Sequence, residues 1–185
     1  MWLANKYMVN KTALILHAWF SKSGSNWYPW LKRQLEDKNY KVYLPELPTM
    51  NMQMPDLEKQ IDFINGLVFI EENTTIIGHS LGCILALRIA ERRKYEKLIL
   101  VAGWDFDDLT EGHKLFWSNK LNHSLIKENV KNIYVISSDN DPYTTAFQAE
   151  EMSKRLNGKF ILIKHGGHFA TKEKCKQLLQ LLPLI

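Results

Sequence analysis

Six short apolar runs recur along the chain, and the residues that follow them break or polarise the pattern. Residues 13–16 end at His17, 42–44 at Pro45, 74–77 at Gly78 and 98–102 at Gly103. Residues 133–136 and 160–163 complete the set, the last closing shortly before Gly166-Gly167. Within each run the apolar positions are continuous rather than alternating, as in strands covered on both faces. Helical spacing fills the intervals. Residues 27–37 carry Trp27, Trp30, Leu31 and Leu35 at that spacing, and 56–69 carry Leu57, Ile61, Ile64 and Val68. Residues 80–93 do the same with Ile84, Leu87 and Ile89, and 146–156 and 172–182 are further candidates. Residues 178–182 read as a core face of the last helix. This alternation predicts βαβ units, a mostly parallel sheet and helices on both faces. Residues 104–129 are the least regular stretch and predict a small cap.

A chain of 185 residues suits one domain spanning 1–185. Its 45% hydrophobic and 24% charged content is ordinary for a globular protein and excludes a disordered one. A net charge of +4 is mild, and the basic run 88–94 is interrupted by Glu91 and reads as a helix end. No nucleic-acid partner is therefore expected. Cys83 and Cys175 lie far apart without a CxxC or Cys/His cluster, so neither a metal nor a disulfide framework is expected. The first twenty residues include Lys6 and Lys11 and no apolar run long enough to span a bilayer. The sequons at Asn10, Asn73 and Asn122 then read as incidental, and a cytoplasmic setting without membrane attachment is the expectation.

Gly78-His79-Ser80-Leu81-Gly82 is a GxSxG pentapeptide. It follows a strand-like run and opens a helix-like one. A strand-to-helix turn at this place strains the serine backbone and lifts its hydroxyl clear of the sheet. Ser80 is the expected nucleophile. A serine hydroxyl needs a base in hydrogen-bond reach, and the base needs an orienting acid. The order expected on this fold is Ser, acid, His.

His168 follows the last strand after a Gly-Gly pair that permits a sharp bend, and it is the favoured base. His165 lies nearer the strand and is the competitor. His17 precedes Ser80, His79 points away from the site, and His113 and His123 belong to the cap. Asp141 is the favoured acid, since it follows the fifth strand and precedes Pro142, which holds it extended. Asp139 suits a loop-capping role better, and Asp105 after the fourth strand is another position; both stay open. Two backbone N–H groups are expected to form the oxyanion hole. One is Leu81, and the other is Trp19 in the loop after the first strand.

These residues resemble the α/β-hydrolase superfamily. Within it the chain is similar to the small serine hydrolases related to retinoblastoma-binding protein 9, the YdeN-like family. The resemblance covers nearly the whole chain. It rests on residues 76–82, on Ser137-Ser138-Asp139-Asn140-Asp141-Pro142, on Gly166-Gly167-His168-Phe169, and on Trp27-Tyr28-Pro29-Trp30-Leu31 followed by Leu44-Pro45. It implies a three-layer αβα fold with six parallel strands in the order 2-1-3-4-5-6, and a triad of Ser80, Asp141 and His168. The oxyanion loop departs from the family's glycine-rich start. It reads His17-Ala18-Trp19-Phe20, which requires a negative φ at Ala18.

The expected activity is hydrolysis of a small ester or related acyl substrate through an acyl-enzyme, with no cofactor and little or no lid. Thioester, amide and peptide bonds are not separable from esters at this level. Trp19, Phe20, Trp104, Phe106, Phe116 and Trp117 are candidates for an apolar acyl pocket. The competing reading is a catalytically silent α/β-hydrolase fold that binds a protein partner, which nothing in the sequence specifically indicates. A nucleotide-binding fold is excluded because no glycine-rich phosphate loop follows the first strand.

Overall fold

A computed structural model describes residues 11–185. The reading of the leader region and the sequon at Asn10 therefore lie outside the described residues. The elements run β1 (Thr12–Leu16), α1 (Tyr28–Glu36), β2 (Lys41–Tyr43), α2 (Leu57–Leu67), β3 (Thr74–His79), α3 (Leu81–Ala90), β4 (Tyr95–Val101), α4 (His123–Asn129), β5 (Val130–Ser138), α5 (Ala146–Arg155) and β6 (Lys159–Ile163). The six strands form one parallel sheet in the order β2-β1-β3-β4-β5-β6.

The period of two within each strand divides the core between the sheet's faces. Ala13, Ile15, Ile77, Ile99 and Ile136 face one cluster, covered by α1 and by Leu178 and Leu181. Leu14, Leu16, Ile76, Leu98 and Val135 face the other, covered by α2, α3, α4 and α5. Every residue of α3 is buried, so this helix lacks a polar face. Its approach to the sheet depends on two glycines. A Cβ on Gly82 would stand 2.4 Å from the Leu16 carbonyl oxygen, and one on Gly78 would stand 2.6 Å from the Gly82 carbonyl oxygen.

Side chains start several of these helices. Asp56 accepts from the Lys59 N–H at α2, Asn122 from the Leu125 N–H at α4, and Thr145 and Gln148 form a capping box at α5.

Two expectations need correction. Residues 172–182 do not form an α-helix. They contribute to two short 3-10 turns, Thr171–Glu173 and Leu179–Leu184. Lys174 takes a left-handed conformation (φ 59°) that ends the first, and Pro183 sits inside the second without an N–H to give. The core-face reading holds for Leu178 and Leu181, whereas Leu179 is exposed. The helix over 80–93 is shorter than its pattern, since Arg92 and Arg93 lie beyond its end.

The cap region contains a 3-10 turn, Glu111–Phe116, and α4. Arg88 anchors it. This buried guanidinium donates to the carbonyl oxygens of Phe116 and Asn119 and pairs with Glu91. Its place in the sequence suggested only a helix end. Among the described residues no helix is long and apolar enough to cross a membrane.

Candidate active site

Parallel strands deliver their loops to one edge of the sheet, and the candidate residues lie on those loops. Ser80 separates β3 from α3. Its backbone sits at φ 54°, ψ −123°, a strained conformation for a residue with a Cβ. The turn is pinned on both sides, by Ser80 N–H to the Val101 carbonyl (2.9 Å) and Cys83 N–H to the Ser80 carbonyl (2.8 Å).

Asp141 follows β5 and His168 follows β6. The structure brings them into contact, with His168 Nδ1 2.9 and 3.0 Å from the two carboxylate oxygens. An ionised carboxylate only accepts, so Nδ1 carries a proton, and in the neutral form of the ring Nε2 keeps its lone pair. Asp141 also accepts from the N–H groups of Tyr143 (2.9 Å) and Thr144 (3.2 Å) and from the Thr144 hydroxyl. Burial alone would raise its pKa. The hydrogen bond and charge of His168, with the two N–H donors, outweigh burial and hold the carboxyl below its usual range.

Ser80 and His168 both line one cavity of about 960 Å³, with Ala18, Trp19, Phe20, Trp104, Phe106 and Tyr143 among the other walls. Among the described residues no hydrogen bond joins Ser80 Oγ to His168 Nε2. Such contacts are often loose until substrate arrives. Phe116 and Trp117, two of the aromatic candidates, do not line the cavity. Phe116 is fully buried in the core, and Trp117 packs beneath the Arg88 guanidinium.

The His168 loop is held by the loop after β5. Gly166 N–H donates to Ser138 Oγ, Gly167 N–H to Asn140 Oδ1, and His165 N–H to Asp139 Oδ1. Asp139 therefore caps the loop, and among the described residues no hydrogen bond joins its carboxylate to His168. Gly167 takes the positive φ (55°) of the bend. His165 is exposed and contacts neither Ser80 nor Asp141 among the described residues. Asp105 accepts two bonds from Arg155 and one from His123, which commits it to the cap.

Leu81 N–H is at the first position of α3, where a helix leaves donors without an internal partner. In the loop after β1, Ala18 N–H is taken by Tyr28 Oη and Phe20 N–H by the Met50 carbonyl. Trp19 N–H lies between them with no acceptor among the described residues. The positive φ in this loop belongs to Phe20 (52°), so Ala18 meets its requirement.

A buried chain of hydrogen bonds runs beneath the site, and the sequence did not reveal it. Tyr28 Oη is 2.6 Å from His79 Nδ1, and His79 Nε2 is 2.8 Å from the His168 backbone carbonyl. The carbonyl only accepts, so Nε2 is the protonated nitrogen of His79 and Nδ1 accepts from the tyrosine. Tyr28 Oη in turn accepts from Ala18 N–H and Asn26 Nδ2. Burial, with a further push from His168, lowers the His79 pKa to about 3, which keeps the ring neutral. The neighbouring Cys83 is a packing residue. Its thiol is buried, donates to the Val101 carbonyl, and is pushed up in pKa by burial. Among the described residues no group of three or more His, Cys, Asp or Glu side chains is arranged to hold a metal ion.

A family model described as Serine hydrolase matches residues 13–184. The protein YdeN of Bacillus subtilis is 28% identical over 178 residues, covering 89% of each chain. Its crystal structure superposes with a TM-score of 0.84 at 26% identity, over 95% of this chain and 96% of that one. Serine hydrolase RBBP9 of Rattus norvegicus is 30% identical over 154 residues, covering 80% of each. A structure from work on carboxylesterases of Nitrososphaera gargenis shares the fold alone, with a TM-score of 0.67 at 14% identity over 95% of this chain and 89% of that one.

Proposed function

The chain belongs to the serine hydrolase family, and from that premise we propose that it cleaves a small carboxylic ester or related acyl substrate through Ser80, His168 and Asp141. The observation that carries this reading is the Asp141–His168 pair on the wall of the cavity that also holds the strained Ser80.

His168 Nε2 takes the hydroxyl proton as Ser80 Oγ attacks the substrate carbonyl carbon. Asp141 keeps the proton on Nδ1 and stabilises the imidazolium that forms. Leu81 and Trp19 N–H groups hold the carbonyl oxygen as it becomes an oxyanion. The imidazolium then gives its proton to the leaving alcohol. Water, deprotonated by the same nitrogen, resolves the acyl-enzyme and restores Ser80.

Turnover of a short-chain activated ester tests the reading. Wild type is expected to be active. Ser80→Ala should lower kcat by about 10⁴–10⁶, and Asp141→Asn by about 10³–10⁴. Equal turnover by wild type and Ser80→Ala would overturn it.

A further inference from the structure

The loop after β1 begins with a buried ring that the catalytic steps leave unused. His17 is fully buried, and both of its ring nitrogens are engaged. Nε2 lies 3.0 Å from the Leu47 backbone nitrogen, and Nδ1 lies 2.9 Å from the Ala18 carbonyl oxygen. A backbone N–H only donates, so Nε2 accepts and Nδ1 carries the proton that it gives to Ala18. Burial lowers the His17 pKa and favours this neutral ring. Glu46 stands 3.8 Å from Nε2, beyond hydrogen-bond reach, and accepts from the N–H and hydroxyl of Ser23.

The Ala18 carbonyl and the Trp19 N–H belong to the same peptide unit. That unit is planar and trans, so its C=O and N–H point in opposite directions. A carbonyl turned onto the buried ring turns the Trp19 N–H away from it. Ala18 and Trp19 both line the cavity that holds Ser80. The carbonyl also accepts from Ser21 N–H at 3.2 Å, which closes a turn inside the loop. The His17 bond ties that turn to the core, and His17 is held in its own place by Leu47 in the loop after β2. The same loop takes Phe20 N–H at the Met50 carbonyl (3.3 Å) and Trp19 Nε1–H at the Met52 carbonyl (2.9 Å). A hydrogen bond at the oxygen of an amide polarises it and strengthens its N–H as a donor.

We infer, on the hydrolase reading above, that His17 is a positioning residue that acts through the Ala18 carbonyl to aim and polarise the Trp19 N–H of the oxyanion hole.

The two nitrogens of His17 can be tested apart. An asparagine amide reaches the place of Nδ1, and a glutamine amide reaches that of Nε2. His17→Asn keeps a donor for the Ala18 carbonyl and loses the Leu47 bond. His17→Gln keeps an acceptor for Leu47 N–H and loses the Ala18 bond. Both should unfold at lower urea than wild type, since each leaves a buried group unpaired. With para-nitrophenyl acetate, His17→Gln should lower kcat by about tenfold or more and move KM by less than about threefold, because the lost contact acts on an oxyanion that forms only in the transition state. His17→Asn should keep kcat several-fold above His17→Gln. Trifluoroacetophenone gives a second readout. Ser80 Oγ adds to its carbonyl carbon, the hydroxyl proton passes to His168 Nε2, and the ketone oxygen becomes an oxyanion in the same hole. Its inhibition constant should weaken in His17→Gln by the factor lost in kcat/KM, and much less in His17→Asn. Equal kcat in the two variants, or wild-type kcat in a destabilised His17→Gln, would overturn the role of His17. Nitrogen NMR of the wild-type imidazoles needs no variant: a His17 proton on Nε2 in place of Nδ1 would overturn it as well. A wild type that is inactive and unlabelled by a fluorophosphonate loses the hydrolase reading itself, whereas an active wild type with indistinguishable variants loses only the positioning role.

Discussion

Tyr28 Oη sits 2.6 Å from His79 Nδ1, and through this contact the loop after β1 is tied to the backbone of His168. Tyr28 and His79 are fully buried, so neither can exchange its partner for water. Removing the hydroxyl leaves His79 Nδ1 without a donor and Ala18 N–H without an acceptor. Tyr28→Phe should therefore lose about 1–3 kcal/mol of stability. The backbone of Trp19 follows Ala18 directly, so the oxyanion loop and the His168 carbonyl should both drift. That displacement should lower kcat by about tenfold or more while moving KM much less. Urea denaturation and steady-state ester kinetics check the two effects. A variant with lost stability and wild-type kcat would show that the chain of hydrogen bonds only supports the fold.

The strain at Ser80 has a stability consequence. Its φ of 54° suits glycine and penalises any residue with a Cβ. Ser80→Gly should be more stable than Ser80→Ala by about 1 kcal/mol, although both lose the hydroxyl. Thermal or chemical denaturation of the pair measures the difference. Equal stability would mean that the turn relaxes without the serine.

Acid should destabilise the protein from near neutrality downward. His79 binds a proton only near about 3 when folded, against an ordinary imidazole value of 6.5. The unfolded chain therefore holds more protons between those values, and stability rises with pH across that window. Burial lowers the pKa of His17 as well, giving the same sign. Asp141, held below its usual range, adds a contribution that is present above the ordinary carboxylate value and is lost as pH falls below it. Urea unfolding followed from pH 7 to 5 should show decreasing stability, with His79 contributing at most roughly 1.4 kcal/mol per pH unit. His79→Gln should flatten that slope. A wild-type slope of opposite sign would contradict the buried neutral imidazoles.

Two glycines separate packing from propensity. Gly82→Ala drives a Cβ to 2.4 Å from a backbone oxygen of β1, which cannot move without shifting the sheet. A loss of about 2–3 kcal/mol or more is expected. Gly66 lies in α2 with nothing within 4 Å of an added Cβ, and Gly66→Ala should gain about 0.5–1 kcal/mol. Melting temperatures of the two variants should move in opposite directions.

The parts of the fold governed by local rules were legible in the sequence. Continuous apolar runs marked the strands, and helical spacing marked α1, α2, α3 and α5. The resemblance supplied the order of the sheet. The GxSxG turn pointed to Ser80, and the Gly166-Gly167 bend pointed to His168. Non-local contacts were less visible. The last helical pattern does not form an α-helix because Lys174 turns left-handed, and Pro183 within the second turn has no N–H to give to an α-helical bond. Arg88 looked like a surface helix end because its partners, Phe116 and Asn119, come from a loop about thirty positions away. Tyr28 lay inside a recognised segment, yet its 51-residue separation from His79 hid their hydrogen bond. Ser138 and Asn140 likewise show their role only when β6 brings the His168 loop beside them.

The hydrolase reading requires Ser80 to be an activated nucleophile. Reaction of folded protein with a fluorophosphonate probe, followed by peptide mass spectrometry, addresses it most directly. A single label is expected on Ser80 in wild type, with none at that position in Ser80→Ala and strongly slowed labelling in His168→Ala. A folded wild-type protein that stays unlabelled, or one that labels equally fast without His168, would contradict it.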